Sequence, residues 1–289
     1  MPVFDEIMDN MFEGLEKLGL GNLKDDDLFQ APEEKTKEAG AAKSAAPVKK
    51  EEKDILYDKT YKCPICESDF KARTVKVGKA KLKSADMDLR PVYQDFDVLK
   101  YDAIVCDACG YASLTRYYGP LGSAQEKLVR ENICKSFKGI NNDIEVFTYD
   151  DALVRHQLAL ANAMVRKAKS SEKAYILLKM GWLVRGKRAL RESEGADKKE
   201  LDELAKMEDS FLSKAYVGFS DAMSKENFPI AGMDEAKFTL LCAELARRNK
   251  DYPVAKKLIS QILTSKSFPS NIKERTRDLF EVLKEECKE

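Results

Sequence analysis

Apolar residues recur at two different intervals along the chain, and the change of interval divides it. In the opening stretch MPVFDEIMDNMFEGLEKLGLG, Phe4, Ile7, Met8, Met11, Leu15 and Leu18 fall three and four residues apart. That spacing predicts one apolar face of a short amphipathic helix within residues 1–22, ending near Gly19 and Gly21. From 23 to 54 the pattern vanishes into a run rich in Ala, Lys, Glu and Pro. With so little apolar surface to bury, it reads as a disordered linker. Between 55 and 122 short strand-like runs such as KARTVKV, KAKLK, LRPVY and YDAIV alternate with Gly, Pro and Asp, which predicts a small β-rich module. From Ser123 onward the helical interval returns and predicts helices near 123–138, 150–169, 171–187, 198–225, 234–249, 253–266 and 271–286.

The helical half has an internal echo. Ala255, Ile259 and Ile262 follow a small-x3-large-x2 spacing that Ala215, Phe219 and Ala222 repeat and that Ala152, His156 and Ala159 weakly share. Small residues let paired helices approach while large ones fill the seam, so the segment resembles tetratricopeptide units stacked into a solenoid. Ala215 and Ala255 are 40 residues apart, longer than a regular repeat, and 187–202 inserts a charged segment. A plain helical bundle is therefore the alternative. The fold class expected is α+β: a small β-rich, zinc-ribbon-like module followed by an all-α, tetratricopeptide-like domain over 123–289.

The first helix has little of its own chain nearby to pack on, so Phe4, Ile7, Met8, Met11, Leu15 and Leu18 read as a docking peptide for a partner's groove. Folding back onto the body is the alternative. On the docking reading, deleting residues 1 to 50 should leave the thermal melt nearly unchanged.

Composition narrows the function classes. Lys+Arg and Asp+Glu both total 50 in 289 residues, so no global basic surplus drives binding to phosphate backbones. No apolar run approaches the roughly 20 residues that span a bilayer, and the first segment carries Asp5, Glu6 and Asp9 where a secretory signal needs positive charge. The expected location is the cytoplasm, with no membrane insertion. Seven cysteines, an odd number, fit reduced thiols and metal binding better than a disulfide framework. Cys134, Cys242 and Cys287 stand singly and read as partly buried apolar residues. His156 is the only histidine and reads as packed in its helix; no catalytic constellation or phosphate loop stands out, so an enzyme is not expected.

The remaining four cysteines carry the chemistry. YKCPICESDF holds Cys63 and Cys66, and CDACGYAS holds Cys106 and Cys109, two C-x2-C pairs with 39 residues between them. A tight turn with two intervening residues aims both sulfurs at one point, and two such turns complete a tetrahedron of thiolates. Closed four-thiolate sites typically stabilise small folds, so the expected cofactor is structural Zn2+, with iron the lesser alternative for a soft thiolate set.

Between the pairs, Lys71, Arg73, Lys76, Lys79, Lys81 and Lys83 form an acid-free basic stretch. Alternation along one strand would put Lys79, Lys81 and Lys83 on a common face for phosphate contacts. Residues 54–122 contain 11 Lys+Arg against 10 Asp+Glu, which favours a solvated strand.

The succession YKCPIC, DMDLRPVY, YDAIVCDACGYAS and a helical tail resembles the bacterial family known as domain of unknown function 2225, over roughly residues 55 to 260. The resemblance implies a cytoplasmic bacterial protein with a metal-knuckle module fused to helices, and supplies no activity. The resulting expectation is a zinc-binding adaptor that takes a protein or peptide partner on its helical repeats. The competing expectation is a nucleic-acid-binding zinc ribbon using Lys71 to Lys83.

Overall fold

The computed structural model describes residue 15, residues 17–20 and residues 51–288; Phe4, Ile7, Met8 and Met11 lie outside them. Three antiparallel two-stranded ribbons come first. Strand β1 (Leu56–Lys62) pairs with β2 (Asp69–Val75), Leu56 facing Val75 and Lys62 facing Asp69. Strand β3 (Leu82–Ala85) pairs with β4 (Pro91–Tyr93), with a register shift between Leu82 and Ser84. Strand β5 (Ala103–Val105) pairs with β6 (Ala112–Leu114). Two-stranded ribbons are marginal in water, and these find their burial against helices.

Seven helices follow among the described residues. α1 (Ser123–Val129) continues through a π turn, Arg130–Cys134. α2 (Tyr149–Val165) starts from a capping box in which Thr148 and Asp151 bond reciprocally. α3 (Ser170–Ser193), α4 (Lys198–Lys225), α5 (Glu235–Arg248), α6 (Tyr252–Thr264) and α7 (Ser270–Glu286) complete the chain. Asp197, Asp234 and Asp251 each accept a backbone N–H at the start of α4, α5 and α6, the expected N-cap chemistry. Successive helices from α2 to α7 pack on one another, and α7 also reaches α5. No helix among the described residues is long and apolar enough to cross a membrane.

The helix starts agree with the periodicity, but α3 runs past 187 to Ser193. Arg191 holds its last turn by pairing with Glu194 and Glu200, and Gly195 at φ +83° makes the exit. Much of the charged segment placed at 187–202 is therefore helix. Ala152, His156, Ala159, Ala215, Phe219, Ala222, Ala255, Ile259 and Ile262 are all buried, as seam positions should be.

Two domain expectations change. Residues 51–54 are ordered, not linker: Glu52–Ile55 forms a 3-10 turn, Glu52 accepts from Lys100 at 2.7 Å and from the Tyr101 hydroxyl at 2.7 Å, and Asp54 O accepts from Lys76 Nζ at 2.9 Å. The β module and the helices also share one hydrophobic core. Ile65, Phe70, Ile104, Tyr111 and Leu114 are contiguous with Leu158, Leu177, Phe219, Leu241 and Leu279. β5 and β6 are buried at every position because they lie on α2. α2 in turn is buried around nearly its whole circumference, which marks it as the central helix.

The end of the predicted N-terminal helix belongs to this core. Leu15 is fully buried and Leu20 nearly so, with Leu18 packed beside them. Lys138 N donates to Leu18 O at 3.1 Å, and Gly19, at φ +84°, sits where a Cβ would meet Ser136 O at 2.0 Å. Leu15 and Leu18 thus pack on their own chain, correcting their assignment to a partner. The expectation that residues 1 to 50 can be deleted at no cost is replaced: Leu15→Ala should destabilise the protein by about 2–4 kcal/mol, read as a drop in the urea midpoint.

His156 gives a pH signature. Its Nδ1 bonds Ala152 O at 2.8 Å inside the core, and burial holds its pKa down at about 4. An unfolded imidazole titrates near ~6.5, so the unfolded state binds the extra proton first as pH falls. Stability is complete above the unfolded value and declines as pH drops from there toward 4, by about 2 kcal/mol at a pH of about 5. Denaturant midpoints across that window, with the single imidazole followed by NMR, check this.

Candidate metal centre

Each C-x2-C pair is the turn of a ribbon. Cys63 and Cys66 lie between β1 and β2, Cys106 and Cys109 between β5 and β6. The two turns are built alike. Cys63 N donates to Ser68 O at 3.0 Å and Glu67 N to Cys63 O at 3.0 Å; Cys106 N donates to Tyr111 O at 2.9 Å and Gly110 N to Cys106 O at 2.9 Å. Both turns close through a left-handed residue four positions after the first cysteine, Glu67 at φ +61° and Gly110 at φ +76°. Ile65 N also points at Cys63 Sγ at 3.4 Å, the N–H···S contact that favours a thiolate.

Folding brings the four sulfurs together from opposite ends of the module. Cys63 Sγ lies 3.5 Å from Cys109 Sγ, Cys66 Sγ lies 3.7 Å from Cys106 Sγ, and all four fall within 4.8 Å of one another. A tetrahedron with metal–sulfur bonds of about 2.3 Å has sulfur–sulfur edges of about 3.8 Å, so the cluster matches a four-thiolate metal site. Cys63, Cys106 and Cys109 are buried and Cys66 is half-buried. The other thiols, Cys106 first and Cys109 next, hydrogen-bond Cys63 and pull its pKa down to about 2, while Cys106, Cys134 and Cys63 together push Cys109 well up. Four crowded sulfurs do not all ionise alone; a divalent cation removes that conflict.

The surroundings of the cluster were not legible from spacing. Tyr61, Phe70, Tyr111 and Tyr118 stack or meet edge-on around it, and the Tyr118 hydroxyl donates to Lys62 O at 3.2 Å. Asn162, a polar residue within the apolar run ALANAM of α2, donates to Gly110 O at 3.0 Å. Cys134, read from sequence as a single apolar residue, lies beside Cys109, whose hydrogen bonding lowers its pKa. Cys242 is buried and Cys287 exposed. A Cβ on Gly110 would sit 2.6 Å from the Phe137 ring. Gly110→Ala therefore meets both a left-handed backbone and a filled space, and should cost about 2–4 kcal/mol with weaker metal retention, measured by thermal melt and a chromogenic chelator.

The basic stretch is spread over several environments. Lys71 is exposed on β2, Arg73 pairs with Asp58 at 3.2 Å, and Lys76 is held by Asp54 O. Lys79, Lys81 and Lys83 are exposed, but only Leu82–Ala85 is strand and its register shifts at Lys83. The single regular face expected for those three lysines is therefore absent, because a bulge displaces the alternation.

The DMDLRPVY segment is a latch. Its turn, residues 86–90, joins β3 to β4 and inserts against α3. Asp88, 1% exposed, accepts from Trp182 Nε1 at 3.1 Å and from Arg185 at 3.1 Å; Arg185 also reaches Asp86 at 2.7 Å and Glu208 at 2.8 Å. Arg248 adds a contact to Glu208 at 3.2 Å, and Arg275 of α7 donates to Asp86 O. Burial alone would raise the Asp88 pKa, but Arg185 outweighs it and holds the carboxyl below its ordinary value. Arg90 pairs with Asp97 at 3.0 Å.

Ribbon turns that gather four thiols, on a core continuous with stacked helices, define a metal-knuckle protein with a helical tail. The profile of a family described as an uncharacterized protein conserved in bacteria, domain of unknown function 2225 (DUF2225), matches residues 56–283. The chain belongs to that family. No curated protein and no solved structure matches it.

Proposed function

We propose that this is a cytoplasmic zinc-binding adaptor whose metal is structural and whose helical repeats take a protein or peptide partner. The closed thiolate cluster carries the metal part of this reading. Three of the four cysteines are buried, both turns are braced by backbone bonds, and no imidazole or carboxylate among the described residues joins the group. Such sites organise a fold and leave no position for substrate. Closed four-thiolate sites typically hold structural zinc; elemental analysis should find one zinc per chain, and a visible thiolate-to-iron absorption band would instead assign iron.

The adaptor part is supported by the stacked α3 to α7 and by Leu190, Val217 and Met223, apolar side chains left exposed on α3 and α4. The face around Trp182 and Arg185 is filled by the chain's own latch, so a partner would use the remaining helix surface. Affinity purification from the native cell, with full-length protein and a Val217→Asp, Met223→Asp variant, tests this: a partner recovered by the first and lost by the second supports it, and identical recoveries oppose it. Exposed Lys79, Lys81 and Lys83 favour the second reading, nucleic-acid binding, which predicts salt-dependent binding lost on changing those lysines to Glu.

A further inference from the structure

The β3–β4 ribbon is oriented with one strand inward and one outward. On β4, Val92 and Tyr93 are half-buried against the body, whereas all four residues of β3 are exposed. β3 pairs with β4 alone, so its outer row of N–H and C=O groups meets no strand among the described residues. The ribbon is nevertheless held firmly. Arg185 and Trp182 grip its turn, and Arg275 donates to Ala85 O at 3.5 Å and to Asp86 O. An edge fixed in this way is ready for a strand to be added to it, with little ordering cost on its own side.

Its chemistry selects the partner. Residues 70–85 contain no acid, and Lys79, Lys81 and Lys83 are exposed along the edge and the loop that leads to it. Val77 at 79% and Leu82 at 63% are the most exposed large apolar side chains among the described residues. A second copy of the same edge would set lysine against lysine, which is how natural edges resist self-pairing. A phosphate backbone would use the lysines but leave Leu82, Val77 and the backbone groups of the edge without partners. An extended segment that carries both carboxylates and apolar side chains satisfies all three features.

We propose that the outer edge of β3 is a docking strand for an acidic, extended peptide segment of a partner protein, with its carboxylates on Lys79, Lys81 and Lys83 and its apolar side chains over Val77 and Leu82. The site lies on the β module and stands independently of the helical surface proposed above. The pairing is short, because the register shift between Leu82 and Ser84 and the Arg275 contact at Ala85 limit it to a few residues.

The test is selection of a displayed random 12-residue peptide library on the full-length protein, counter-selected on the Lys81→Glu, Lys83→Glu variant. Both positions are exposed, so the variant should melt with the wild type. Expected are enriched peptides that combine acidic and apolar residues, binding about tenfold or more weaker to the variant and weaker to Leu82→Ser. Hydrogen exchange should slow at residues 82–85 when such a peptide is bound. The proposal is overturned if no peptide is enriched over the counter-selection, or if enriched peptides leave exchange at β3 unchanged. It is equally overturned if the charge reversal abolishes binding of a duplex or single-stranded DNA oligonucleotide, or of phosphatidylserine vesicles, while no peptide binds.

Discussion

Stripping the metal from the purified protein with a strong chelator is expected to unfold the ribbons and the helices together, in one transition. A four-thiolate structural site contributes on the order of 10–16 kcal/mol to small zinc peptides, as much as the whole stability of an ordinary domain. Two separate domains would confine that loss to residues 55–122. Here Ile65, Tyr111 and Leu114 belong to the same core as Leu158 and Leu177, and Asn162 of α2 is bonded to the carbonyl of Gly110 in the second knuckle. Cys106→Ser, at a fully buried position, should act the same way. Far-ultraviolet circular dichroism melts of metal-loaded and stripped protein decide the point: a helical melt unmoved by chelation would show that the core is divided after all.

Removing the guanidinium at the centre of the latch has the next largest expected effect. Arg185→Ala leaves Asp88, 1% exposed, without the cation it faces, while Glu208, 2% exposed, keeps only Arg188 and Arg248. Breaking a buried pair from one side typically costs about 3–5 kcal/mol. Arg185→Lys should recover little, since a point charge cannot serve Asp86, Asp88 and Glu208 through a planar fork. Because Asp88 is held below its ordinary pKa, its share of stability is present above the unfolded carboxylate value of about 3.9 and disappears as pH falls below it. A second change, Asp88→Asn in the Arg185→Ala background, should cost less than the sum of the singles. Urea midpoints for the cycle measure this; strict additivity would mean that the two groups do not share the energy their geometry implies. Metal content should stay at the wild-type level in all three variants, which separates the latch from the clip.

Some of this was available in one dimension because the physics is local. The clustered cysteines Cys63, Cys66, Cys106 and Cys109 announce themselves by spacing, since a C-x2-C turn is a property of a few bonds. The helix starts near 198, 234 and 253 are visible from the apolar periodicity, and the structure adds Asp197, Asp234 and Asp251 as their N-caps. The family resemblance rests on the same short motifs and agrees with the family matched over 56–283.

What the one-dimensional reading missed involves partners far apart in the chain. DLRPVY looks like one more strand-like run until Trp182 and Arg185, more than ninety residues later, surround Asp88. Leu15 and Leu18 look like part of an unpartnered docking face until the main core buries them and Lys138 N bonds Leu18 O. Cys134 looks inert until the π turn sets it beside Cys109.

The sequence by itself therefore determined the four-cysteine set, the order of strands and helices and most of their boundaries, because turns and periodicity are short-range. Tertiary structure alone decided that the zinc-ribbon-like module and the helices share one continuous core, that a signature motif is an internal latch, and that β3 is left as the outward edge among the described residues. Burial and charge pairing between distant segments settle those questions, and no window of the sequence contains both partners.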